Sequence, residues 1–139
     1  MSDLPDGYES FGASYLQPEW AAREGDEKLF STTKANQSPG NSAYVEYTVP
    51  SGKVLYINYL SGDIQGYTAG DRDKNQMGYV LVYNWATGKY PFHLGGNGGC
   101  GLALPVPLVF TAGVKITFSL YNGTDHACNL RISVGGYEI

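Results

Sequence analysis

From Ala43 onward, large apolar residues fall at alternate positions, and turn residues break the pattern about every 8–12 residues, the signature of short β-strands. Ala43–Val49 sets Val45, Tyr47 and Val49 on one face. Pro50-Ser51-Gly52 turns the chain into Lys53–Leu60, and Asp63–Tyr67 reads as a further short strand. Met77–Trp85 and Lys89–Leu94 follow, joined through Ala86-Thr87-Gly88, and the glycine-rich stretch Gly95–Gly101 reads as a loop. Leu102–Phe110 holds Pro105 and Pro107, which only an edge or irregular strand tolerates. In Val114–Tyr121, Val114, Ile116, Phe118 and Leu120 alternate with Lys115, Thr117 and Ser119. Ala127–Val134 sets Cys128, Leu130, Ile132 and Val134 against Asn129, Arg131 and Ser133. Eight strands with almost no helix predict an all-β fold, an eight-stranded antiparallel sandwich of jelly-roll type. An immunoglobulin-like sandwich is the alternative, although both tryptophans precede both cysteines and its Cys–Trp–Cys order is missing.

Two strands carry apolar residues on both faces. Lys53–Leu60 offers Val54, Tyr56 and Leu60 on one side and Leu55, Ile57 and Tyr59 on the other. Met77–Trp85 offers Tyr79, Leu81, Tyr83 and Trp85 against Val80 and Val82. A two-layer sandwich buries one face of each sheet, so the second face needs a cover. Three covers fit: another subunit of a symmetric oligomer, the chain's own N-terminal segment, or a sugar stacked on Tyr79, Tyr83, Trp85 and Tyr90. Tyr56 joins these four as a candidate for the interface or the sugar platform.

The first 42 residues differ in kind. No Val or Ile occurs before Val45, whereas fourteen follow from there to Ile139. Residues 1–35 hold seven acidic side chains against three basic ones, so the whole formal charge of −4 resides there. Residues 1–42 are therefore read as an acidic arm and linker, with 43–139 as the β-sandwich module. Pro18, Glu19 and Gly25 mark a helix of one or two turns near 18–24. Large apolar groups stud the arm, and Tyr15, Leu16, Trp20, Leu29 and Phe30 are its candidate anchors. Ser31–Ser42 reads as a polar linker, which makes residues 1–35 removable without unfolding the module.

Charge and chemistry narrow the function. The neutral module and acidic arm lack the basic stripe that nucleic acid requires. No stretch approaches the ~20 apolar residues of a membrane span, and the opening MSDLPDGYES lacks the basic and apolar regions of a signal peptide. Asp71-Arg72-Asp73-Lys74-Asn75 has calcium-loop spacing, but Gln76 and Val82 stand where the loop glycine and bidentate Glu belong, so no metal is expected. His93 and His126 have no partner at zinc-ligand spacing, and neither Cys100 nor Cys128 has a recognisable base and orienting residue. Asn122-Gly123 reads as turn chemistry. No enzyme and no cofactor are expected.

Val49-Pro50-Ser51-Gly52-Lys53-Val54 and Pro107-Leu108-Val109-Phe110-Thr111-Ala112-Gly113-Val114, with Tyr121-Asn122-Gly123 after the next strand, resemble small jelly-roll virion proteins of tailed bacteriophages, both capsid decoration proteins and fibre-head domains. The resemblance covers residues 43–139. It implies a homotrimer assembled in the host cytoplasm into a virion, with the arm reaching neighbouring subunits or the major capsid protein. For the fibre-head type it implies glycan or receptor binding.

Overall fold

The structure, a computed structural model, describes residues 26–139. Its strands are β1 (Asp26–Gln37), β2 (Ser42–Thr48), β3 (Leu55–Gly66), β4 (Met77–Asn84), β5 (Lys89–Asn97), β6 (Gly99–Phe110), β7 (Lys115–Asn122) and β8 (Cys128–Glu138). They form two four-stranded antiparallel sheets, the first ordered β1-β8-β3-β6 and the second β2-β7-β4-β5. The pairs β1–β8, β2–β7, β3–β6 and β4–β5 are those of one long hairpin folded at its middle. Rolling that hairpin adds β3–β8 and β4–β7. This is a jelly roll. The immunoglobulin alternative falls, because it keeps several consecutive strands in one sheet and here only β4 and β5 are so joined.

The interior is built from the alternation that the sequence displays. Ile116, Phe118 and Leu120 of β7 with Val80 and Val82 of β4 meet Leu55, Ile57, Leu60 and Ile64 of β3 and Leu130, Ile132 and Val134 of β8. Gly62 leaves the room that side chains of the other sheet fill: a Cβ there would sit 2.7 Å from Val80 Cγ2 and 2.8 Å from Leu120 Cδ1. Removing these side chains from water is the main force holding the layers together.

The strands differ from the sequence reading in three places. Lys53–Leu60 and Asp63–Tyr67 are one strand, β3, whose register shifts between Ile57 and Tyr59. The extra residue in this bulge swaps the faces. Leu60 therefore joins Leu55 and Ile57 inside, while Tyr56 and Tyr59 share the outside with Ser61 and Asp63. The double-faced reading of this strand is thus corrected. The glycine-rich stretch is not a loop: β5 runs through it to Asn97, and the chain turns at Gly98 (φ +79°) and Gly99 (φ +148°) into β6. At that corner Gly96 lies so close to Gly99 that a Cβ would stand 2.6 Å from its carbonyl oxygen. As expected from Pro105 and Pro107, β6 is an edge strand, and residues 104–107 bulge out of its pairing with β3.

The third difference concerns the arm. Residues 26–37 are not linker but the edge strand β1, paired with β8 from Asp26↔Glu138 to Gln37↔Cys128. Among the described residues the module therefore begins at Asp26, and the eighth strand comes from this segment. Phe30 points inward, 4.8 Å from the ring centre of Tyr47 and 5.3 Å from that of Phe118. It anchors the segment to its own core, whereas Leu29 faces solvent on the other side of β1 at 72% exposure. Tyr15, Leu16, Trp20 and the helix expected near 18–24 lie outside the described residues.

The open end beside β1 is closed by polar contacts. Glu138, 3% exposed, accepts a hydrogen bond from the Tyr47 hydroxyl at 2.6 Å and pairs with Lys28 Nζ at 3.6 Å. Burial, the bond to Glu138 and the negative charge of Glu138 and Asp26 push the Tyr47 phenol up from 10.0 to about 12. Since the fold favours the neutral phenol, this contribution is complete below pH 10 and is lost as pH rises towards about 12.

Three outcomes follow. Phe30→Ala should cost about 2–4 kcal/mol in urea denaturation, whereas Leu29→Ala should stay within about 0.5 kcal/mol. Removal of residues 1–35 takes most of β1 with it and should leave no cooperative transition. Equal effects of the two substitutions would contradict the facing of β1. Stability should also fall between pH 10 and about 12, and more steeply in wild type than in Tyr47→Phe; the same alkaline slope in both would exclude Tyr47 as the titrating group.

Candidate functional site

The outward face of the second sheet is the candidate site, and cross-strand pairing builds it in rows. Ser42, Tyr121, Tyr79 and Gly95 lie side by side, then Tyr44, Ser119, Leu81 and His93. Glu46, Thr117 and Tyr83 form the third row, and Thr48 and Lys115 the fourth, where Trp85 donates its backbone N–H to the Lys115 carbonyl. The inward partners along β4 are Gly78, Val80 and Val82. The double-faced reading of β4 therefore stands.

These aromatic side chains hold one another in fixed geometry. Tyr83 meets Trp85 edge-on with ring centres 5.1 Å apart, and Tyr90 at 4.9 Å on its other side. The Trp85 indole N–H donates to Thr117 Oγ1 at 2.8 Å. Lys115 Nζ lies 4.6 Å from the Trp85 ring centre and 2.8 Å from Glu46 Oε2. Tyr79 is seated between two glycines: a Cβ at Gly123 would come within 2.5 Å of its ring, and one at Gly95 within 2.8 Å. Tyr79 also neighbours His93 and Tyr121, at 5.7 and 6.2 Å between ring centres. Despite this ordering, Trp85 and Tyr90 remain more than half exposed, as does Tyr44 beside them on β2.

Two depressions mark the face. One of ≈ 600 Å³ is lined by Tyr79, Leu81, Tyr90, His93 and Tyr121. The other, ≈ 320 Å³, is lined by Ser42, Tyr44, Glu46, Trp85, Thr117 and Ser119. Of the candidates named from sequence, the fold gathers Tyr79, Tyr83, Trp85 and Tyr90 here. Tyr56 does not join them; it lies on the outside of the first sheet, stacked on Tyr137 at 4.9 Å. Tyr44, Leu81, His93 and Tyr121 complete the face. Alternation could have signalled Tyr121, which continues the outward series Lys115, Thr117, Ser119.

The residues with reactive side chains serve loops and turns. Asp71, at the start of a 3₁₀ turn spanning Asp71–Asp73, accepts from Thr68 Oγ1 at 2.8 Å and pairs with Lys74 at 3.1 Å, contacts that hold its carboxyl below the usual range. Among the described residues no group of three His, Cys, Asp or Glu side chains gathers to hold a metal. Asn122 and Thr124 tie the β7–β8 connection: Thr124 Oγ1 donates to Asn122 Oδ1 at 2.6 Å, and Asn122 Nδ2 donates to the carbonyls of Gln37 and His126. His126 Nδ1 stands 2.8 Å from Asp125 Oδ1, and this contact lowers the Asp125 pKa. Cys100 and Cys128 are free thiols, and burial pushes the Cys100 thiol up.

No family model matches the chain, and no curated protein does either. Solved structures with a similar course are the Drosophila NLP core, described for pentamer formation and histone binding (18% identity, 80% of this chain and 97% of that one, TM-score 0.41), and Bacillus endospore appendages, a family of disulfide-linked pili (12%, 80% and 86%, 0.36). A mitogen derived from Yersinia pseudotuberculosis is a third (13%, 70% and 87%, 0.35). Likeness at this level carries no argument about function.

Proposed function

We propose that this chain is a non-enzymatic assembly protein, a jelly-roll subunit that joins others of its kind, as a homotrimer, in decorating or cementing a virion capsid. The observation that carries this reading is the aromatic face of the second sheet. Trp85 and Tyr90 are held by their contacts with Tyr83 and Thr117, yet both are more than half exposed. Preordered Tyr and Trp lose little conformational freedom on contact and dominate the energetics of protein interfaces. Residues 1–25 lead into β1, which packs against β2 of this sheet through Phe30 and Tyr47, and that segment would supply the reach to a neighbour.

A second reading, a carbohydrate- or receptor-binding module of a tail fibre, is favoured by one feature. The ≈ 600 Å³ depression has the volume of a small-ligand site, and aromatic faces suit sugar rings.

Light scattering of the full chain should give about three times the 15.0 kDa subunit mass. The double variant Trp85→Ala, Tyr90→Ala should shift to monomer with an unchanged circular dichroism spectrum, each truncation of a central interface aromatic costing about 2 kcal/mol or more. A wild-type monomer would end the assembly reading. A glycan screen with wild type and Trp85→Ala tests the second one: it requires binding that the variant loses, and equal or absent binding removes it.

A further inference from the structure

We infer that the aromatic face of the second sheet is the seat of this chain's own N-terminal segment, residues 1–25. The inference rests on the assembly reading above and names what fills the face. It starts from where the described chain begins. Asp26 pairs with Glu138, and Glu138 holds the Tyr47 hydroxyl at 2.6 Å, so β1 opens at the end of the sandwich where β2 reaches Thr48. Thr48 pairs with Lys115, whose carbonyl receives the Trp85 N–H. The segment thus joins the fold at the row that carries Trp85, and β1 and β2 are the edge strands of their sheets there.

Length and spacing agree with this position. Sheets in a sandwich lie ~10 Å apart, and the six residues from Trp20 to Asp26 span up to ~20 Å when extended. Trp20 is therefore the first large apolar residue before Asp26, and it is far enough from it to round the β2 edge and lie beside Trp85. Leu16, Tyr15, Phe11, Tyr8 and Leu4 precede it, spaced along the length that remains. The four rows of the face cover ~20 Å along the strands, well within reach of those nineteen residues.

Polarity agrees as well. Residues 1–25 carry five carboxylates and one arginine, whereas residues 26–139 balance eight acidic against eight basic side chains. On the face itself the carboxylate of Glu46 is already paired with Lys115, and Lys89 stands exposed at the start of β5 beside Tyr90. The segment offers aromatic groups to an aromatic face and negative charge to a rim that does not repel it. Each large side chain that leaves water on such a surface strengthens binding about tenfold or more.

The test uses the full chain with a photoreactive benzophenone amino acid in place of Tyr90, irradiated as an equal mixture of ¹⁵N-labelled and unlabelled protein and mapped by mass spectrometry. Adducts should fall within residues 1–25, and Trp20→Ala should lower their yield about tenfold. Mixed-isotope adducts mean that the segment comes from a neighbour, and both readings stand. Adducts within one copy keep this inference and overturn assembly through the segment. Adducts confined to the strands of a second copy overturn the inference while assembly stands. Irradiation that yields no protein adduct overturns the inference outright.

Discussion

A sandwich of two sheets has one interior, and everything notable about this molecule follows from how that interior is filled. Val80 and Val82 share it with Leu60, Ile64, Leu130 and Ile132 of the other sheet, and Gly62 makes room there for Val80 and Leu120. Because those residues already satisfy the inner faces, the residues between them in sequence are forced outward by the period-two geometry of a strand. On β4 that rule sends Tyr79, Leu81 and Tyr83 to the surface, whatever the cost of wetting them. The aromatic face is thus not an accident of a poorly packed core. It is a second apolar layer in a fold that has room for only one.

The strands with strict alternation were readable from residue order alone. Ile116, Phe118 and Leu120 of β7 and Leu130, Ile132 and Val134 of β8 face as their spacing says. In β3 the bulge at Asn58 broke the count, since one extra residue moves Leu60 to the side of Ile57 and sends Tyr59 out. The segment Asp26–Gln37 escaped because its inward positions hold Lys28, Phe30 and Thr32, a composition that an edge strand tolerates and a central one does not. Part of the candidate site was equally legible: Tyr79, Tyr83 and Trp85 share a face by spacing. Which strands flank them depends on long-range pairing, and that alone brings Tyr44, Tyr121 and His93 alongside and leaves Tyr56 on the opposite sheet.

Polar side chains finish the ends of the sandwich. At one end, Tyr47, Glu138 and Lys28 join the first strand, the second and the last. At the other, Asn122 and Thr124 bind the β7–β8 connection to the carbonyl of Gln37, at the end of β1. Both knots secure β1, an edge strand with a single neighbour in its sheet. A buried carboxylate such as Glu138 is tolerable only with such partners, and its two partners sit on β1 and β2, edge strands of the two sheets.

The register Asp26↔Glu138 also has a mechanical meaning. The first and last strands run antiparallel with those two residues side by side, so a chain pulled by its two ends would be loaded at a single pair of strands. Their hydrogen bonds would then open one after another, like a zipper, rather than sharing the load along the strand. Tension applied instead between Asp26 and Cys128, at opposite ends of the same pair of strands, meets a different resistance, because it loads those hydrogen bonds together in shear. The same fold is therefore weak along one axis and strong along another. The attachment points chosen in an assembly would decide which of the two the protein presents.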